Sequence, residues 1–296
     1  MASADAPVVA RRRLRIVLRG LREAADLTQG DVATALDWSL SKVQRIESGE
    51  VTISSTDLRA LLDKLDVTDQ ERVAQLVSDA KVARRRVAGW WDEPGFRSHL
   101  TPGTAQLMQF ESQATTIRMF ASIIIPGVLQ TRRHADAVLA FWHSDVNALT
   151  DQQRAARLEV RLRRHRHVFE RPDPPAYLLT IDESALYRVS GAEVAVEQLQ
   201  HLLNHIVTGK LSLRILPVGP TGAATLGPFT LLELDTEGDA VLYRESWSVD
   251  EVVDDPAEVA QHRRIFDELT RRSYSAERST RVLEARIAAV RAEIDN

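Results

Sequence analysis

Apolar residues recur along this chain with two different periods, and the change of period divides it. In the first third they return every three or four positions: Leu14, Val17, Leu18 and Leu21; Val32, Ala33 and Leu36; Val43 and Ile46; Leu58, Leu61, Leu62 and Leu65; Val73, Leu76, Val77 and Ala80. Such spacing puts each set on one face of a helix, and five helices are predicted over residues 11–88. Leu107, Phe110, Ala114 and Ile117 continue the helical period over 104–120, followed by an Ile run at 123–125 read as a buried extended segment. Thr131 can cap a helix carrying Ala135, Val138, Leu139 and Trp142, and Leu158, Leu162 and Val168 line another over 151–171. After R-P-D-P-P the period shortens. A-Y-L-L-T-I-D and L-S-L-R-I-L-P-V read as strands flanking an amphipathic helix, a crossover that would be right-handed if the strands are parallel. G-P-F-T-L-L-E-L-D and A-V-L-Y-R-E, joined by T-E-G-D, read as a hairpin, and two helices close the chain, with Val259, Ile265, Phe266 and Leu269, then Val282, Leu283, Ile287 and Val290 inward. The expected fold is mainly α: a five-helix N-terminal domain and a larger α+β domain with a small mixed sheet. Residues 1–10 are expected to be disordered. The stretch 89–103, with its Gly89-Trp90-Trp91 and D-E-P-G-F-R, is expected to be a linker before a domain over 104–296.

The polar positions of residues 28–50 are as informative as the apolar ones. Thr28 can cap a helix that Asp31 favours by its charge, and Asp37 stands where the chain must turn, a place for a residue that tolerates the left-handed conformation. Ser39 can cap the next helix and Gly49 can end it. With Val43 and Ile46 inward, Leu40, Ser41, Gln44 and Arg45 point outward. This is the layout of a helix-turn-helix, whose second helix enters the major groove of DNA. L-T-Q-x-x-V-A-x-x-L followed by W-S-x-S-K-V-x-R-I-E-x-G resembles the Xre (Cro/cI-type) regulators, although that family usually has Gly where Asp37 stands. The resemblance implies that Gln29, Ser39 and Lys42 hold phosphates and that Leu40, Ser41, Gln44 and Arg45 face base edges. Arg45 suits guanine, Gln44 adenine and Leu40 a thymine methyl. It also implies that Arg22 and Glu47 form a structural ion pair rather than reading DNA. A homodimer on double-stranded DNA is expected, since one module spans only a few base pairs.

Composition narrows the rest. With 44% hydrophobic and 27% charged residues the 296-residue chain has a globular composition, and without Cys it has neither disulfides nor thiolate metal sites, which suits a reducing cytoplasm. No apolar run has membrane-spanning length and the first ten residues lack a signal peptide's core, so a cytoplasmic, nucleoid-associated protein is expected. A net charge of −4 means that positive charge for DNA must be local. Arg11–Arg13, Arg84–Arg86 and the Arg-rich helix over 151–171 are candidates; the first is equally readable as a solvated helix start, and the other two read more readily as a solubilising linker and a solvated face. Two adjacent Trp residues cannot share one helix face, so one of them should meet the other domain or a partner, or else dock in its own core.

Beyond the linker, the double Trp, I-P-G-V-L-Q-T, L-T-I-D-E-S-A-L, G-P-F-T-L-L-E and D-D-P-A-E-V-A-Q-H-R-R-I-F-D-E-L resemble the C-terminal region of actinobacterial Xre-type regulators of the WhiJ-like group. After I-P-G-V-L-Q-T that group usually has an acidic residue and a Tyr, where this chain has Arg132, Arg133 and His134. The resemblance implies transcriptional regulation alongside a small partner protein, and no catalytic activity. An antitoxin-like protein whose main role is to bind that partner is the alternative, and the acidic run at 250–258 could meet a basic one. Catalytic residues, cofactor and metal are not expected. His201 and His205 have metal-ligand spacing without a visible third ligand, and His165 and His167 cannot share a helix face. Asp182 explains itself as a cap, Glu183 is its neighbour rather than a converging carboxylate, and Gly219–Gly222 lacks the Lys of a phosphate loop.

Overall fold

The computed structural model describes residues 6–85, 89–141, 150–219, 226–234, 239–245 and 250–295. The chain forms two compact units, Ala2–Ala88 and Gly89–Asn296.

The first unit is five helices, α1 (Pro7–Ala24), α2 (Gln29–Ala35), α3 (Leu40–Ser48), α4 (Ser55–Lys64) and α5 (Gln70–Ala83). Its core is the set that the period marked, with Leu14, Leu18, Val32, Val43, Ile46, Leu58, Leu62, Leu76 and Ala80 all buried. One helix ending recurs. Asp26, Asp37 and Asp66 each follow the last helical residues of α1, α2 and α4 with φ of 53–54°. A short polar side chain tolerates this left-handed turn. Asp37 therefore does what Gly does at this place elsewhere.

The N-terminus differs from expectation. Helix α1 reaches back to Pro7, a residue suited to a first helical position, and buries Val8, Val9 and Ala10. Ala10 packs on Val82 and Ala83 of α5, so residues 7–10 belong to the domain. The arginines after them are structural too. Arg12 is buried, Arg13 forms a two-pronged ion pair with Asp79 of α5 at 2.8 and 3.0 Å, and Arg11 donates to the Ala83 carbonyl.

The second unit is built on a six-stranded mixed sheet in the order β3-β2-β1-β4-β5-β6. Its chain order begins with a one-turn helix at Trp90–Asp92, α6 (Pro94–Arg97), α7 (Pro102–Glu111) and β1 (Thr116–Ala121). A short turn at Gly127–Leu129, α8 (Arg132–Phe141) and α9 (Asp151–Phe169) lead to β2 (Ala176–Asp182), and α10 (Ala192–Val207) leads to β3 (Ser212–Leu216). The chain then runs β4 (Phe229–Glu233), β5 (Ala240–Glu245), β6 (Asp250–Val253), α11 (Pro256–Arg272) and α12 (Ala276–Asp295). Strands β1, β2 and β3 are parallel, whereas β4, β5 and β6 are antiparallel to their neighbours. Phe120, Phe229, Leu231 and Leu242 of the sheet pack with Val259, Phe266 and Leu269 of α11. The exposed edge β3 is capped by the start of α12, where Ser279 Oγ accepts from the Ile215 N–H at 3.0 Å.

Three expectations fail here. The helix expected over 104–120 ends at Glu111, and Ile117 lies instead in the strand β1. Ala114 and Ile117 fit a helical period by coincidence, and pairing with β2 and β4 decides the outcome. The Ile run is not a buried strand, since Ile123 is 57% and Ile124 41% exposed while Ile125 is fully buried. Nor is 89–103 a linker. Trp91, Phe96, Met108 and Val160 form one core with Trp90 against it, so both Trp rings dock within their own unit. Gly103 is required there, because a Cβ would lie 2.6 Å from the Asp250 carbonyl oxygen of β6. Residues 236–238 of the T-E-G-D turn, Trp142 and residues 220–222 lie outside the described residues.

The Arg-rich helix α9 turns much of its charge inward. Arg164 grips Glu111, which is fully buried, at 2.6 Å, Arg154 meets Asp136 of α8 in two-pronged fashion, and Arg163 reaches Glu93 at 3.0 Å. Burial alone would lower the Arg164 pKa, but the charge of Glu111 more than offsets it and raises it. Just beyond α9, Arg171 donates to the carbonyls of Glu111, Ser112 and Ala114, satisfying the exposed C-terminal end of α7.

Candidate nucleic-acid interface

The local geometry of residues 28–50 follows the polar signals one by one. Thr28 and Asp31 form a reciprocal capping box: Thr28 Oγ1 accepts from the Asp31 N–H at 3.1 Å and the Asp31 carboxylate accepts from the Thr28 N–H at 2.8 Å. The side-chain hydrogen bond from Thr28 holds the Asp31 carboxyl below the usual range. Ser39 Oγ accepts from the Lys42 N–H at 3.2 Å and starts α3, and Gly49 ends it in the left-handed conformation at φ +79°.

The buried face of α3 is locked from beneath. Arg22 of α1 donates through Nε and Nη2 to the two oxygens of Glu47, at 2.7 and 3.0 Å, and through Nη1 to the Leu27 carbonyl. Side-chain exposure is 11% for Arg22 and 6% for Glu47, so the pair is shielded, and the hydrogen bond to Glu47 raises the Arg22 pKa. Gln29 joins this network, its amide donating to Glu47 at 2.9 Å. Arg19 and Arg15, one and two turns earlier on α1, were not singled out by sequence reasoning. Their guanidinium groups donate to the Glu47 and Ser48 carbonyls at the C-terminal end of α3. Positive charge at that end complements the helix dipole. The spacing 15, 19, 22 on one helix face was the signal that could have shown them.

The opposite face of α3 is open. Leu40, Ser41, Gln44 and Arg45 are all exposed, and Leu40, at 47%, is a large apolar side chain in water without a partner in the core. Arg45 is met by Glu50 at 3.4 Å, a pair exposed on both sides. Lys42 lies 3.2 Å from Asp57 of α4 and 3.9 Å above the Trp38 ring. It stands at the rim of this open face rather than projecting freely. The first 88 residues carry 15 Lys and Arg against 13 Asp and Glu, whereas the remainder carries 23 against 29. Positive charge is thus concentrated, modestly, in the unit that holds α3.

Residues 13–76 match the helix-turn-helix domain family, and residues 104–285 match a domain of unknown function, DUF5753. The chain belongs to the DUF5753 family. The matched region runs from the first turn of α7 to the middle of α12, and the preceding unit is a helix-turn-helix, a DNA-binding module. No curated protein and no solved structure matched the chain. Among the described residues no helix is long and apolar enough to cross a membrane.

Within the DUF5753 unit, Asp182 caps the turn after β2 by accepting from the Ser184 N–H at 2.9 Å, and Glu183 accepts from the Val218 N–H at 3.4 Å. His167 packs edge-on to the Trp91 ring. His165, which α9 carries on another face, stands instead beside His201 and His205 of α10. Burial lowers the pKa of His201 to about 4 and lowers that of His205 as well, so both rings are neutral near pH 7.

Proposed function

We propose that this protein is a sequence-specific DNA-binding transcriptional regulator of the Xre (Cro/cI-type) class, of the WhiJ-like group found in actinobacteria. Helix α3 enters the major groove, and the DUF5753 unit senses a partner protein or ligand. The observation that carries this reading is the open row Leu40, Ser41, Gln44 and Arg45 on a helix whose other face is fixed by Arg15, Arg19 and Arg22. A recognition helix needs both properties: side chains free to meet bases, and a backbone held so that their positions are defined.

Arg45 takes guanine, Gln44 adenine, and Leu40 a thymine methyl. Ser39 and Lys42 hold the flanking phosphates, with Gln29 offering its remaining amide hydrogen. The protein acts as a homodimer on two half-sites about one helical turn apart, in the cytoplasm on the nucleoid. The test is fluorescence anisotropy with a fragment from upstream of its own gene against random DNA, at two salt concentrations. A preference for the upstream fragment that survives higher salt is expected. In the same assay Arg45→Ala should lose about 1–3 kcal/mol on the preferred site and little on random DNA. Equal losses on both would remove Arg45 from the base-reading set.

A further inference from the structure

The geometry points to a divalent transition-metal site, most suited to zinc, formed by His165 of α9 with His201 and His205 of α10. One ring nitrogen from each of the three lies within 4.8 Å of the other two. The ring centroids are 4.4 Å apart for His201 and His205, 5.1 Å for His165 and His205, and 5.3 Å for His165 and His201. A tetrahedral ion with metal–nitrogen bonds of about 2.0–2.1 Å requires only side-chain rotations from that spread.

Orientation supports the site more strongly than proximity. His165 Nδ1 is 2.8 Å from the Val128 carbonyl and His205 Nδ1 is 3.0 Å from the His201 carbonyl. A carbonyl can only accept, so each Nδ1 is the donor, and Nε2 is the nitrogen left to face a ligand. This is the outer-sphere arrangement that orients metal-binding imidazoles. His201 Nε2 is buried with no hydrogen-bond partner, a cost that a metal ion would relieve. Phe169 walls one side, packing on both His165 and His205 and backed by Tyr177. Three imidazoles with no thiolate or carboxylate favour zinc, copper or nickel over magnesium or calcium. Three protein ligands leave a fourth position for water or another donor.

The ion would tie α9 to α10, so it should bind the folded unit and raise its stability. The experiment uses the untagged full-length chain, stripped with a chelator and titrated with zinc in competition with a chromophoric chelator, and with cobalt for its visible spectrum. Uptake of one zinc equivalent, a tetrahedral cobalt spectrum, and a rise in Tm of roughly 5–10 °C at a hundredfold excess over Kd are expected. His165→Gln, His201→Gln and His205→Gln should each abolish the Tm rise and weaken zinc binding beyond the roughly 10–100-fold that loss of an outer-sphere partner costs. His167→Gln, two residues from His165 but against the Trp pair, should bind as the natural chain does. Circular dichroism of each metal-free variant separates loss of ligand from loss of fold, and three independent variants guard against one that does not fold. No zinc uptake by the natural chain, or uptake retained in all three ligand variants, would overturn the site.

Discussion

Single residues on and beside α3 show how neighbouring charges set what a DNA reader can do. Lys42 is drawn to Asp57 at 3.2 Å and to the Trp38 face, so its charge is partly spent before any phosphate arrives. Asp57→Asn should therefore tighten binding to all DNA sequences alike and steepen the salt dependence, by up to about one unit in the log–log slope. An unchanged slope, read by anisotropy across a salt series, would show that the Asp57 contact gives way on binding. His134 carries a prediction of another kind. It is buried, neither ring nitrogen has a hydrogen-bond partner, and desolvation, aided by the charge of Arg161, lowers its pKa from 6.5 to about 4. Between those two values the unfolded chain takes up a proton that the folded chain refuses. The contribution is therefore fully present above pH 6.5 and is lost as pH falls toward 4, by up to roughly 3 kcal/mol. His134→Leu should flatten that part of the stability profile, as measured by urea unfolding at stepped pH.

At the scale of elements, arginine is what joins one helix to another in this protein. Arg22 holds α3 to α1 through Glu47, Arg13 holds α1 to α5 through Asp79, and Arg164 holds α9 to α7 through Glu111. A buried pair of this kind is costly to break from one side only, because the abandoned charge stays buried. Arg22→Ala should destabilise the helix-turn-helix unit by roughly 3–5 kcal/mol, seen as an earlier transition in chemical denaturation, whereas Arg45→Ala, on the open face, should leave it within about 0.5 kcal/mol. A small effect of Arg22→Ala would mean that Arg15 and Arg19 hold the helix without it. The elements themselves were legible where their signals are local. The caps expected at Thr28 and Ser39 stand at helix starts, and each depends only on residues two or three positions away. Strand β1 was not legible, because Ile117 also fits the helical period that runs on from Leu107 and the alternation in T-I-R-M is only four residues long, so its partners β2 and β4 decide it.

At the scale of the whole molecule, a lone helix-turn-helix unit contacts few base pairs, which is why the proposed reading has two copies on two half-sites. Sedimentation velocity should show a dimer on a DNA duplex bearing two half-sites 10–10.5 base pairs apart, centre to centre. A monomer both free and on that duplex would remove the claim.

What the amino-acid order alone determined was whatever rests on neighbours in the chain: five helices with their caps, the left-handed turn at Asp37, the inward set of the N-terminal core, and the outward row from Leu40 to Arg45. These follow from period and from hydrogen bonds that span a few residues. Tertiary structure alone decided which charges are satisfied and which side chains meet. It turned the arginines of α9 from apparent surface into links to α6, α7 and α8, absorbed 89–103 into a core, and exposed two of three consecutive isoleucines. It also placed His165 beside His201 and His205, a meeting invisible in the sequence because the rings lie on two helices, α9 and α10, with β2 between them in the chain. Contact between distant residues is set by how faces pack, and no spacing along the chain records it.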